Sequence, residues 1–195
     1  MFIQTETTPN PATLKFLPGR DVLPADHAAG QAGASANFTS AEAAKVSPLA
    51  TRLFAVPGVE GVYLGSDFIT VTKSAAQDWT ELKPVLLGAI MEHFIAGRPV
   101  MNDAAPQAAA EDEQYDPADR EIVLQIKELI DTRVRPAVAQ DGGDIIFRGF
   151  ERGVVFLHMQ GSCAGCPSST ATLRYGIENM LKHYVPEVSE VRAVQ

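Results

Sequence analysis

Cysteine is scarce in this 195-residue chain: there are two, Cys163 and Cys166. A bridge between residues so close would close a loop too small to stabilise a fold, so a disulfide-built secreted scaffold is excluded. Positive charge is also short. Sixteen Lys and Arg stand against twenty-four Asp and Glu, a formal net charge of -8, and no local basic stripe offsets it. Nucleic acid is therefore not an expected partner. Apolar runs such as Val154–Leu157 fall far short of the roughly 20 residues that span a bilayer, so no membrane segment is expected. The first residues, Met1–Glu6, have neither the basic and apolar regions of a secretory signal nor the arginine-rich pattern of a transit peptide. The expectation is a reducing compartment: the bacterial cytoplasm, or the mitochondrial matrix for a processed eukaryotic chain.

With 46% hydrophobic and 21% charged residues, the composition is that of a globular protein with one large or two small cores. Residues 102–118 contain Ala, Pro and acid with no periodic apolar face and read as a linker. The expected division is a domain over 1–101, an acidic linker over 102–117 and a domain over 118–195. Thirteen acidic and seven basic residues precede Tyr115, so most of the negative charge belongs to the first part.

In the first part, Phe2–Thr7 and Ala12–Leu17 read as a hairpin around Pro9–Asn10–Pro11. Residues 18–37 read as a long loop unless Phe38 is pinned to the core. Thr39–Glu42 offers a capping box, with short helices to follow, one over Ser47–Ala55. Val59–Leu64 and Phe68–Thr72 form a second hairpin. Leu82, Leu86, Ile90 and Phe94 mark a helix whose start is expected nearer Pro84 than Trp79. In the second part a helix carrying Ile122, Ile126, Leu129, Ile130 and Val134 is expected to stop before Pro136. Asp141–Asp144 reads as a solvated turn rather than a metal site. A hairpin over Ile145–Phe150 and Val154–Met159, a helix over Ser168–His183 and an edge strand over Val188–Val194 complete it. The fold class is α+β: two small domains, each an antiparallel sheet with packed helices.

The chemistry concentrates in Gly161–Pro167. Between Arg152 and Arg174 there is no Asp, Glu, Lys or Arg, and both cysteines lie in that stretch, at a strand-to-helix junction. Pro167 suits a first helical position, so Cys166 falls near the N-cap, where free amides and the helix dipole favour thiolate. Gly161 and Gly165 let backbone fold closely around something held by both sulfurs. Ser162, Ser168, Ser169 and Thr170 are candidate donors to bound sulfur. Two thiolates are half of a tetrahedral set, and the chain supplies no other half. A twofold dimer would complete it, around a [4Fe-4S] cluster or around zinc. A dithiol oxidoreductase of the thioredoxin type also places CxxC at a helix start, although on a larger sheet with β–α–β units than this hairpin-rich pattern suggests. His158 is expected to be a satisfied polar side chain. His93 and His183 are given capping or helix-dipole roles, and Trp79 a packing role at a helix start in preference to a partner surface.

Asp141–Asp144 followed by Gly161–Ser169 resembles the NifU C-terminal domain of Nfu-type iron–sulfur carriers, over residues 118–195. Thr8–Phe16, Gly58–Tyr63 and Gly65–Lys73 resemble the Nfu N-terminal domain. The resemblance implies a non-enzymatic carrier that binds a [4Fe-4S] cluster between two subunits, receives it from an upstream assembly scaffold and passes it to apo iron–sulfur proteins. It implies that Cys163 and Cys166 are the ligands, and it leaves a [2Fe-2S] form open. The acidic domain, which has no cysteine, is expected to dock clients or partners.

Overall fold

The computed structural model describes residues 2–23, 35–102, 113–164 and 167–194, with backbone alone at 167–169. Two units divide the chain, Met1–Gln107 and Ala108–Gln195.

In the first unit, β1 (Gln4–Thr7) and β2 (Thr13–Leu17) pair antiparallel, Gln4 opposite Leu17 and Thr7 opposite Leu14. Asn10 shapes the turn between them, its Oδ1 accepting from the Ala12 N–H at 3.0 Å. Strand β3 (Ala36–Phe38) buries Phe38 and so anchors the end of the expected long loop, of which residues 24–34 lie outside the described residues. A 3-10 turn over Ala43–Val46 follows. The Ser40 hydroxyl, not Thr39, accepts from its Ala43 N–H at 3.2 Å, while Glu42 turns to Lys45 at 2.6 Å, so the capping box does not form. Helix α1 (Pro48–Phe54) is capped by Ser47, whose Oγ accepts from the Ala50 N–H at 3.0 Å. Strands β4 (Val59–Leu64) and β5 (Ile69–Lys73) complete an antiparallel sheet of order β1-β2-β5-β4-β3.

Helix α2 (Trp79–Ile95) starts five residues before Pro84 rather than near it. Asp78 caps it, accepting from the Thr80 N–H at 2.7 Å, and the Trp79 indole N–H donates to Pro11 O at 3.0 Å. Pro84 gives up one bond in the second turn, on a face open to water, and those anchors offset the loss. Leu82, Leu86, Ile90 and Phe94 pack into a core with Phe16, Leu64, Ile69 and Val71.

The second unit begins with β6 (Gln114–Tyr115), parallel to a later strand, and a 3-10 turn over Pro117–Asp119. These residues stood at the end of the expected linker and are instead part of the folded unit; 103–112 lie outside the described residues. Helix α3 (Arg120–Leu129), a π-helical segment (Ile130–Val134) and α4 (Arg135–Gln140) follow without interruption. Pro136 does not end the helix. The wide turn, in which the Arg135 N–H bonds to Ile130 O, puts the proline at the opening of α4, where its missing N–H is not needed.

Strands β7 (Gly143–Glu151) and β8 (Val154–Gly161) form the expected hairpin. Its turn residues Arg152 and Gly153 have φ of 50° and 83°, the handedness that matches strand twist. Helix α5 (Pro167–Tyr184) then crosses back, so that β9 (Glu190–Val194) runs parallel to β8. The sheet order is β6-β7-β8-β9. Both units are α+β, but this second sheet is antiparallel only in its central hairpin, because a helical crossover returns the chain in the original direction. Val123, Ile126, Ile130, Val134 and Val138 pack with Ile145, Leu157, Ile177 and Leu181 beneath it. Among the described residues no helix is long and apolar enough to cross a membrane.

Candidate functional site

Strand β8 ends at Gly161, whose φ of 61° turns the chain into the cysteine loop. The Cys163 N–H donates to Gln160 O at 3.3 Å and the Ala164 N–H to Gly161 O at 3.1 Å, forming a tight reversal. Two further anchors come from Ser162. Its N–H donates to Gly142 O at 3.1 Å and its hydroxyl to Asp141 O at 2.6 Å, which ties the loop to the turn that starts β7. From the other side, the Thr170 hydroxyl on α5 donates to Cys163 O at 3.0 Å. Ser162 and Thr170, expected as donors to sulfur, are thus spent on backbone carbonyls. Cys166 and Gly165, with the expected N-cap, lie outside the described residues, as do the side chains of Ser168 and Ser169.

Cys163 faces inward. It is 6% exposed, among the core residues of the second unit. A β-carbon built on Gly143 would stand 2.4 Å from its sulfur, so this glycine provides the recess. Burial pushes the thiol up to about 12, against a pull from the Ser162 hydroxyl and with the Asp141 and Asp144 charges adding to the rise. The hydroxyl has one proton, and it is given to Asp141 O, so little is left to stabilise a thiolate. The surroundings of Cys163 are core and carboxylate, which favour the thiol; the thiolate preference expected near the N-cap concerns Cys166, which lies outside the described residues.

The turn beneath is rigid. Asp144, 5% exposed, is gripped by the Arg135 fork, Nε to Oδ1 and Nη2 to Oδ2 both at 2.8 Å, and also accepts from the Ile145 N–H at 2.8 Å. Asp144 holds the Arg135 guanidinium above its ordinary range, with Asp131 adding to this. The solvated turn expected for residues 141–144 is corrected at Asp144: a carboxylate this buried needs a partner, and Arg135 on α4 supplies it. No feature of the sequence separated this acid from an ordinary turn residue. Arg135 opens α4, nine residues before Asp144.

The histidines divide. His158 Nδ1 lies 3.2 Å from Val194 O, a satisfied side chain as expected. His183 packs edge-on against Tyr184 with ring centroids 4.9 Å apart. His93 is 1% exposed with neither ring nitrogen in hydrogen-bonding geometry, so of the expected capping or dipole role the capping part is not met. Among the described residues, no group of three or more His, Cys, Asp or Glu side chains is placed to hold a metal ion.

Residues 3–97 match the family described as scaffold protein Nfu/NifU N terminal, and residues 126–192 match the NifU-like domain. The chain carries both domains of the Nfu type, an Nfu/NifU N-terminal domain followed by a NifU-like domain. Relatives of this Nfu chain include the proteins named "NFU1 iron-sulfur cluster scaffold homolog, mitochondrial" from Drosophila sechellia and Drosophila erecta. The first is 52% identical over 194 residues, 100% of this chain and 65% of that protein; the second is 50% identical with the same coverage. The Nfu chain thus spans 65% of the length of these relatives. A solved NifU-like protein from Saccharomyces cerevisiae is similar at 29% identity and a TM-score of 0.45, covering 53% of this chain and 86% of its own.

Proposed function

We propose that this Nfu chain carries an iron–sulfur cluster and passes it to apo iron–sulfur proteins. The cluster is of the [4Fe-4S] type, held between two copies through Cys163 and Cys166 of each, and it arrives from an upstream assembly scaffold. The observation that carries this reading is the supply of sulfur: the chain's two cysteines both fall in the NifU-like segment, where β8 hands over to α5. A lone chain then offers half of a four-thiolate set, and a second copy offers the rest. Transfer proceeds by exchange of these thiolates for acceptor cysteines as the dimer parts, and no substrate is turned over. Because the Cys163 thiol is neutral when stowed, loading displaces its proton.

In this scheme the second unit, from Gln114 on, binds the cluster, the segment before it tethers, and 1–101 dock clients, raising the local concentration of the loaded domain near its acceptor. The relatives named above are called mitochondrial, which favours the matrix over the bacterial cytoplasm as the reducing compartment.

A second reading has one observation in its favour. Strand β8, α5 and β9 form a β–α–β unit with the CxxC at its strand-to-helix junction, the placement of a dithiol oxidoreductase, so the hairpin-rich pattern no longer argues against that class. A buried, neutral Cys163 is a poor attacking thiol. Anaerobic reconstitution with iron and sulfide, followed by absorption spectra, metal counts and mass, decides between them. The carrier reading expects about four irons per dimer and loss of the cluster in Cys163→Ser and Cys166→Ser. A full cluster on a single chain without external thiol overturns it. Insulin reduction by iron-free monomer supports the oxidoreductase, and zinc without a chromophore a structural dimer.

A further inference from the structure

We propose that Ser162 is a positioning residue that stows the Cys163 sulfur in the iron-free chain, so that cluster uptake requires the loop to be released from the 141–144 turn. The inference rests on the carrier reading for its purpose, and on the geometry of the cysteine loop for its substance.

Ser162 is 2% exposed, deeper than a loop serine needs to be, and both of its polar groups are used on the same turn: N–H to Gly142 O at 3.1 Å and hydroxyl to Asp141 O at 2.6 Å. The turn cannot drift to follow the loop, because the Arg135 fork and the Ile145 N–H hold Asp144 at the start of β7. Gly143, between the two anchored residues, leaves the recess into which the sulfur fits. Thr170 pins the far side through Cys163 O at 3.0 Å. A sulfur held in this way is 6% exposed. It cannot reach a cluster that also bonds a second chain, since an interface ligand must stand at the surface where the chains meet. Stowing and presenting are therefore two positions of one loop, and the Ser162 bonds belong to the first alone. Stowing keeps an uncommitted thiol away from oxidants, whose attack follows exposure. Breaking the bonds to Asp141 and Gly142 is the step that loading must drive.

The test uses the full chain with Cys166→Ser, iron-free, so that iodoacetamide reports on Cys163 alone at one fixed pH. Ser162→Ala removes the hydroxyl bond, and alkylation should quicken by about 2- to 10-fold, the value of one hydrogen bond expressed as an opening equilibrium. Ser162→Thr keeps the hydroxyl and should restore the slow rate, which a merely packing role would not do. Unfolding midpoints are measured on every chain. If Ser162→Ala does not fold, Thr170→Val, which removes the other pin, replaces it with the same expectation. Equal rates for parent and Ala chains of equal stability overturn the inference, as does acceleration by Ser162→Thr as large as by Ser162→Ala. Reconstitution of the chain with both cysteines is scored separately. A chain that takes up no cluster ends the carrier reading, while the alkylation comparison still decides whether Ser162 stows the thiol.

Discussion

Gly143 and Cys163 share one volume. A β-carbon on the glycine would lie 2.4 Å from the sulfur, 2.9 Å from Gln160 O and 3.0 Å from the Cys163 nitrogen. The sulfur can swing aside, but the two backbone atoms belong to the end of the β7–β8 ladder and its turn, where Gly143 pairs with Gly161. Gly143→Ala should therefore both expel the thiol and open the end of the hairpin, at a cost of about 1–3 kcal/mol. A lower urea midpoint together with faster alkylation of Cys163 is the expected pair of results; a stable chain with an unreactive thiol would show that the recess is not filled as described.

The Arg135–Asp144 fork should be the most costly surface-to-core contact in the second unit to break. Asp144→Ala leaves a guanidinium that is 19% exposed without its main partner, and the loss is on the order of 3 kcal/mol. Arg135→Lys keeps the charge but not the two parallel bonds, and it should lose part of that amount. Urea unfolding of the two variants, with far-UV dichroism as the probe, tests the order: Asp144→Ala below Arg135→Lys below parent.

The hairpins were legible because alternation and turn residues are local properties of the chain: β1–β2, β4–β5 and β7–β8 all lie where the sequence puts them. Proline misled twice. At Pro84 the capping by Asp78 offsets a missing N–H, and Asp78 with Glu81 is a helix-start pattern that the proline outweighed; at Pro136 the π turn does so, and that device shows in no residue pattern. The cysteine motif was visible from its spacing and its uncharged flank. The position of its first sulfur was not, since it depends on a glycine twenty residues earlier being folded against it. Asp144 reads as solvated for the same reason: its partner Arg135 lies nine residues earlier and reaches it only once α4 is folded against β7.

His93 gives the first unit an acid-sensitive point. It is buried, and desolvation chiefly holds its pKa below the ordinary 6.5, with the Arg52 and Arg98 charges adding to the fall. The unfolded chain then binds a proton that the folded chain refuses. The associated stability is complete above pH 6.5 and falls as pH drops below it. Trp79 is the one tryptophan and lies on the same helix, so its fluorescence reports the transition. His93→Phe should flatten the slope between pH 6.5 and the acid limit; an equal slope in both chains would assign the sensitivity elsewhere.

Removing residues 1–101 should leave cluster assembly on the remaining chain intact and slow delivery to clients that the first unit docks. Under the proposed scheme, the joining segment is what links docking to delivery. The measurement is cluster transfer to several apo-enzymes by the full and shortened chains. Equal transfer rates to every acceptor would remove docking as the role of the acidic unit.

Cys163 should make the iron-free second unit sensitive to alkali. Its thiol is pushed from an ordinary 9.0 up to about 12, mainly by burial, so above pH 9 the unfolded chain has lost a proton that the folded chain keeps. Stability from this group is complete below pH 9 and is lost as pH rises through about 12, the opposite direction to His93. The informative quantity is the difference between chains. Cys163→Ala should show a shallower alkaline decline than parent. A parent curve that Cys163→Ala reproduces at every pH would mean that the sulfur is already in water, and with it the recess at Gly143 would lose its role.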